Sequence, residues 1–150
     1  MPRRTASCLT VILTLSLLLI GSLGTGNAGA ESSVALGSSA FAKPYGEGWG
    51  TTRPARIFNG GDLSGLVKEI QWTSWGGRVA IGYGLGWIFN PSGGYYSRPL
   101  LVELRAEALG HCDSQRAYTQ LAIRVPSKPE APLGSWHLWS EAKSLCRFGF

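Results

Sequence analysis

Two histidines, His111 and His137, are the side chains best suited to proton transfer in this sequence. His111 stands beside Cys112 and Asp113 in a predicted turn, and His137 stands in a short aromatic segment. Secreted ribonucleases and some hydrolases of this size pair a histidine with a carboxylate for general acid–base work. Nothing in the spacing brings the two histidines together, although a disulfide from Cys112 to Cys146 would draw their segments nearer. We expect solvated or structural histidines; a small secreted hydrolase or nuclease that uses both is an alternative.

A structural role is sufficient to explain the positions of the carboxylates in the sequence. Asp62 and Asp113 lie in predicted turns, where aspartate commonly accepts a hydrogen bond from nearby backbone. The run Asn59-Gly60-Gly61-Asp62 is a turn signal and is too short for a calcium loop. The sequence contains no paired-carboxylate motif, nucleophile elbow, phosphate loop or zinc-ligand spacing. We therefore predict no catalytic residue, no metal site and no cofactor.

Six tryptophans are the remaining chemical signal, and all of them follow residue 30. A tryptophan exposed on a sheet suits sugars or protein partners, because a rigid ring offers contact area at little entropic cost. We predict Trp72 in the core and Trp75 and Trp139 at the surface. Arg78 would face Trp75 across a hairpin, where it either stacks on the indole or merely helps to close the turn. Trp75, Arg78 and Trp139 are the predicted binding residues.

The first thirty residues have the three parts of a secretory signal peptide. Arg3 and Arg4 give a basic start, an apolar run covers residues 8–20, and Ala28-Gly29-Ala30 resembles a cleavage site. The run is too short for a comfortable membrane span, so we predict cleavage after Ala30, secretion and no stable span afterwards.

The secreted part divides into two predicted regions. Residues 31–52 form a flexible, Gly-rich leader, and residues 53–150 form one β domain. Within the leader, the aromatics of residues 41–52 either pack on the sheet as a lid or display Tyr45 and Trp49 to a partner.

Charge and cysteine count narrow the class of protein. Of the 14 Lys and Arg residues, Arg3 and Arg4 belong to the signal, which leaves 12 against 9 Asp and Glu, or +3. No basic run is present, so we predict no nucleic-acid partner. Cys112 and Cys146 are the two cysteines left after cleavage, and an even count in an exported chain predicts a disulfide.

Residues 66–87 are predicted to form the central hairpin, with Gly76-Gly77 as a two-residue loop. This register places Trp72 opposite Ile81, Ile70 opposite Tyr83, and Lys68 opposite Leu85. The large side chains of both strands then share the core face. The other face collects small residues, which indicates either close approach of a covering segment or an open, glycine-floored groove: Ala80, Gly82, Gly84 and Gly86.

The remaining pattern is that of short alternating strands separated by Gly- and Pro-rich turns. Residues 100–108 and 116–125 alternate most clearly, and their pairing would bring Glu103 and Glu107 to Arg116 and Arg124. We predict an all-β, single-domain antiparallel sandwich or small barrel of about six to seven short strands with one disulfide.

The hairpin also resembles a group of known sequences. Residues 70–77, with Ala80, Gly82 and Gly84 after them, read I-x-W-x-x-W-G-G followed by A-x-G-x-G. This pattern is similar to that of uncharacterised small secreted proteins of actinobacteria. The resemblance implies an exported domain of unknown function, and it assigns no activity or site residue.

These observations favour a secreted, non-enzymatic β domain. Its expected partner is extracellular, either a cell-wall glycan or a protein, bound through exposed aromatic side chains. Besides the hydrolase or nuclease, a second alternative is a secreted inhibitor or toxin whose loop at residues 126–134 docks in a target.

Overall fold

A computed structural model describes residues 33–130 and 132–147. The predicted signal peptide lies outside these residues. The described chain is built from strands of 2 to 13 residues and two 3-10 turns, Leu63–Gly65 and Trp139–Glu141. The strands are β1 (Ala35–Leu36), β2 (Ile57–Phe58), β3 (Leu66–Trp72), β4 (Ala80–Gly86), β5 (Leu100–Cys112), β6 (Gln115–Arg124) and β7 (His137–Leu138). The predicted all-β class with a disulfide is confirmed.

The seven strands of the described residues belong to one sheet, in the order β2-β3-β4-β5-β6-β1. All neighbours are antiparallel except β1, which runs parallel to β6. β7 pairs with Ala122 and Ile123, farther along the same edge of β6 that β1 occupies at Ala117 and Tyr118. The sheet curls into a half-barrel, and the core lies on its concave face.

The segment between β1 and β2 closes the open side of the half-barrel. Gly50 and Thr51 exchange backbone hydrogen bonds with Leu36 of β1, while Glu47 bonds in both directions with Phe58 of β2. Phe41 and Trp49 belong to this segment; both are buried, and their rings pack edge-to-face. The prediction of a flexible leader is therefore wrong for residues 33–52, since this segment joins the two edges of the sheet. The lid interpretation holds for Phe41 and Trp49, whereas Tyr45 is 70% exposed.

The small residues of β4 face the core. Gly82, Gly84 and Gly86 alternate with half-buried large residues, and Ala80 is completely buried. A Cβ added to Gly82 would lie 2.8 Å from Cε3 of Trp72, and one added to Gly84 would lie 2.7 Å from Cγ1 of Val67. Side chains of β3 thus occupy the volume that β4 leaves empty. The covered alternative for the glycine face is correct, but the prediction that the large residues of β4 face inward is wrong.

A β-bulge explains why the predicted register fails within the hairpin. Lys68 pairs with Leu85 as predicted, but the register then shifts, so Gln71 faces Tyr83 and Trp72 faces Gly82. The extra residue, Glu69, has a φ of 57° and points to solvent. The bulge lets Val67 and Ile70 both face the core although they are three residues apart.

The convex face of β5 and β6 carries a charged cluster around Trp136. The guanidinium groups of Arg105 and Arg124 each lie 4.6 Å from the centre of the indole. Arg124 also forms an ion pair of 2.5 Å with Glu103, as cross-strand pairing predicted. Glu107 instead pairs with Arg105 on its own strand, and not with Arg116.

The predicted alternation along β6 is interrupted between Tyr118 and Leu121, which are both completely buried in the same core cluster although they are three residues apart. The Tyr118 hydroxyl donates to the Gly77 carbonyl at 2.7 Å. The change occurs beside Ala108 of β5, whose φ is 56° and whose carbonyl accepts from Thr119.

Cys112 and Cys146 form the predicted disulfide. It anchors the last described segment, in which Leu145 is fully buried and bonds through its backbone to Ser38 and Thr119. In the described residues, no helix is long and apolar enough to cross a membrane.

Replacing Gly84 by alanine should destabilise the protein by about 1–3 kcal/mol, because the new methyl group meets Val67 and the Lys68 carbonyl in a packed core. Chemical denaturation measures the change. Gly77→Ala is the matched control, since its Cβ would find no atom closer than 3.9 Å. Equal free energies of unfolding for the two variants would show that the close contact at Gly84 of β4 is absent.

Replacing both Cys112 and Cys146 by alanine should lower the free energy of unfolding by about 3–4 kcal/mol, because the bridge closes a loop with a sequence separation of 34. Thermal and chemical unfolding of the double variant provide the test. An unchanged midpoint would mean that the anchor formed by Leu145 holds without the bridge.

Candidate functional site

Trp75, the first predicted binding residue, is partly buried and packs against the core of the half-barrel. Its indole packs edge-to-face on Trp72 at 4.6 Å and on Tyr118 at 5.2 Å. Its Nε1 donates to the Val34 carbonyl at 2.9 Å. The side chain is only partly exposed, and both its polar atom and its ring edges have internal partners. These contacts indicate a residue that fastens the hairpin to the opposite edge of the sheet.

Arg78 does not face Trp75 across a tight turn. β3 ends at Trp72 and β4 begins at Ala80, so the connection has seven residues and the predicted two-residue loop is wrong. The loop is held by Thr73 and Ser74, which bond to the backbone of Ile81. Arg78 is exposed at its tip.

Trp139, the third predicted binding residue, is 4% exposed, so the prediction that it lies at the surface is wrong. Its Nε1 donates to Oδ1 of Asn59 at 2.9 Å. Trp139 nevertheless belongs to the lining of a groove in the described structure.

The two histidines lie at different places along β6. His111 of β5 pairs with Arg116, and His137 of β7 pairs with Ile123. Seven residues of extended strand separate those partners, which is roughly 23 Å. The structure therefore does not bring the histidines together as an acid–base pair. No group of three or more potential metal ligands occurs among the described residues.

The groove at the other end of the half-barrel is the best candidate site, and we call it the mouth groove. It has a volume of about 760 Å³. Three segments meet there: the β2–β3 connection, the residues that follow β4, and β7 with its 3-10 turn. Its lining is Phe41, Asn59, Gly61, Asp62, Ser64, Gly65, Trp87, Ile88, Phe89, Ile123, Leu133, His137, Leu138, Trp139, Glu141 and Ala142. Trp75 and Arg78 precede β4 and Trp87 follows it, so the length of β4, roughly 20 Å, separates them from the groove.

Trp87 and Phe89, which belong to an aromatic hairpin, form one wall of the mouth groove. Phe89 forms a β-bridge with Tyr95, and their rings stack at 4.3 Å with an interplanar angle of 25°. Trp87 contacts the edge of Tyr95 at 6.2 Å. The turn between them is fixed by Asn90, whose side chain accepts from the Ser92 amide and whose backbone bonds to Gly93 and Gly94. Phe89 remains 50% exposed, so a pre-formed aromatic surface meets solvent here.

The rim of the mouth groove is polar. Asp62 caps the first 3-10 turn, and its Oδ1 accepts from the Ser64 hydroxyl at 2.5 Å and from the Ser64 amide at 2.9 Å. These bonds hold the pKa of Asp62 below its ordinary value of 3.8. Nδ1 of His137 lies 3.0 Å from the Ser135 carbonyl. Since a carbonyl can only accept, Nδ1 carries a proton in this bond, and Nε2 is the acceptor of the neutral ring.

The sequence held a signal for this site that its interpretation missed. Trp87 and Phe89 alternate after β4, and Tyr95 follows a five-residue turn signal at residues 90–94. An aromatic alternation on both sides of a short turn predicts paired rings on one face. What the pattern does not show is that the β2–β3 connection and the turn after β7 face the same rings.

Comparisons of the chain with protein-family models, with curated proteins and with solved structures found no match. The resemblance to small actinobacterial secreted proteins stays a prediction. The function is therefore inferred from the chemistry of the mouth groove.

Replacing Trp75 by alanine should lower the free energy of unfolding by about 3 kcal/mol, because the change removes two ring contacts and the bond to Val34. Arg78→Ala, in the same loop, should stay within about 0.5 kcal/mol of the parent protein. Unfolding midpoints measure both. A stable Trp75 variant that had lost affinity for a glycan would restore Trp75 as a binding residue.

Proposed function

We propose that this protein is a secreted, non-enzymatic domain that binds an extracellular glycan in the mouth groove. The single observation that supports this most strongly is the aromatic hairpin. It presents the half-exposed ring of Phe89, stacked on Tyr95, at the edge of a groove with an apolar floor.

The aromatic wall suits the apolar faces of sugar rings. Pyranose rings carry C–H groups on their faces and hydroxyl groups at their edges. A flat aromatic side chain offers contact area to the C–H face and loses little rotamer entropy, because it has only two side-chain torsions. Stacking on Tyr95 and contact with Trp87 hold the wall in place before a ligand arrives.

The rest of the groove provides the second element of sugar recognition. Ligand sites are commonly concave, mostly apolar, and supplied with a few placed polar groups, with volumes of about 300–1,000 Å³. The mouth groove, at about 760 Å³, falls in this range. Asp62, His137 and Glu141 lie among its lining residues and can exchange hydrogen bonds with sugar hydroxyls.

Secretion is the setting that fits this proposal. Disulfides persist in oxidising compartments, and the Cys112–Cys146 bridge fastens the last described segment to the sheet. The signal-peptide pattern of the first thirty residues supports the same location. A cell-wall polysaccharide is the glycan class that such a protein would meet first.

The test is a tryptophan-fluorescence titration of the secreted protein with cell-wall polysaccharides and defined oligosaccharides. We expect a saturable shift, because Trp87 lines the groove. Phe89→Ala should weaken binding about tenfold or more, which corresponds to about 1.4 kcal/mol, since it removes the exposed ring of the wall.

Leu101→Ala is the matched control. Leu101 is 51% exposed, like Phe89, and lies on β5 opposite Leu85, but it is not among the residues that line the groove. Its affinity should equal that of the parent protein. Equal affinity of all three proteins, or the absence of any saturable shift across the glycan panel, would contradict glycan binding in the mouth groove.

A further inference from the structure

The ionisable side chains of the mouth groove are unlike those of the protein as a whole. The chain carries a formal net charge of +5, and +3 without Arg3 and Arg4. The described residues that line the groove nevertheless include two carboxylates, Asp62 and Glu141, one histidine, and neither lysine nor arginine. Local charge at the site is thus opposite in sign to the global charge, which disfavours acidic ligands and favours cationic ones.

The two carboxylates reach the groove from different parts of the chain. Asp62 caps the 3-10 turn before β3, and Glu141 ends the 3-10 turn after β7. Both residues are exposed, and Ser64 holds the Asp62 carboxylate in one orientation through two bonds to the same oxygen. The aromatic wall adds a third attraction for a cation, because the face of an aromatic ring is electronegative.

Building on the proposed glycan-binding function, we infer that the ligand of the mouth groove is an amino-sugar oligosaccharide with free, protonated amines. The ring of such a sugar packs on Phe89, while its ammonium group pairs with Asp62 or Glu141. N-acetylation removes the charge, and a uronic acid reverses it. The site would therefore distinguish deacetylated from acetylated amino sugars and would reject acidic polysaccharides.

The experiment compares three oligosaccharides of equal length by fluorescence titration at a pH where the amine is protonated: oligomers of glucosamine, of N-acetylglucosamine and of galacturonic acid. We expect the glucosamine oligomer to bind about tenfold more tightly than its acetylated counterpart, and the galacturonic acid oligomer not to bind. The preference should shrink as salt is added, because exposed charge pairs are screened. Asp62→Asn and Glu141→Gln should each weaken binding of the glucosamine oligomer about threefold more than binding of the acetylated oligomer, because the amide keeps a hydrogen-bonding side chain and removes only the charge.

Equal affinity for the glucosamine and N-acetylglucosamine oligomers would overturn the inference and leave glycan binding intact. Failure of every oligosaccharide to bind would overturn the inference together with the proposed function.

A lysine tetramer serves as the control for charge without a sugar ring. If it binds as tightly as the glucosamine oligomer and is equally sensitive to Asp62→Asn, the ligand is a basic peptide and the amino-sugar assignment is wrong. Unchanged affinity of both carboxylate variants for the glucosamine oligomer would likewise remove the charge pairing on which the inference rests.

Discussion

The small size of the residues on the concave face of β4 is the constraint on which the rest of this structure depends. Gly82 and Gly84 leave room that Trp72, Val67 and Ile70 fill from the neighbouring strand. Because the large side chains of β3 lie over the backbone of β4, few side-chain atoms fill the centre of the concave face. A sheet of this kind can curl strongly without steric conflict between facing side chains.

Closure of the half-barrel follows from that curl. Two indoles near the hairpin donate to main-chain carbonyls of the closing side, Trp72 to Pro54 and Trp75 to Val34. Each bond satisfies a buried N–H group and joins segments distant in sequence. Trp75, one of the predicted binding residues, thus serves this closure. At the other end of β4, the chain turns back through residues 87–96. The aromatic rings of this turn do not pack on the sheet, and the mouth groove forms between them and the turn after β7.

Sequence patterns predicted the fold class well and the site poorly, for physical reasons that can be named. Alternation along residues 100–107 gave the correct faces of β5, since a strand of constant register keeps its period of two. It failed at Glu69 and Ala108, because a single residue with positive φ interrupts the period and leaves no strong mark in composition. Residues 33–52 looked like a leader because backbone bonds, and not a hydrophobic period, hold them. The disulfide followed from cysteine count alone. The mouth groove depends on three segments far apart in sequence, and their meeting is a property of sheet order that local patterns do not contain.

The most direct test of the account uses the six tryptophans as position markers. Each indole N–H gives its own resonance in a two-dimensional ¹H–¹⁵N NMR spectrum of the protein, and single Trp→Phe variants assign them. Titration with the glucosamine oligomer should move the Trp87 resonance most and the Trp139 resonance less, while Trp49, Trp72 and Trp75 stay in place. Shifts centred on Trp75 and Trp72 would contradict the account, because they would place the ligand at the connection between β3 and β4 instead of the mouth groove.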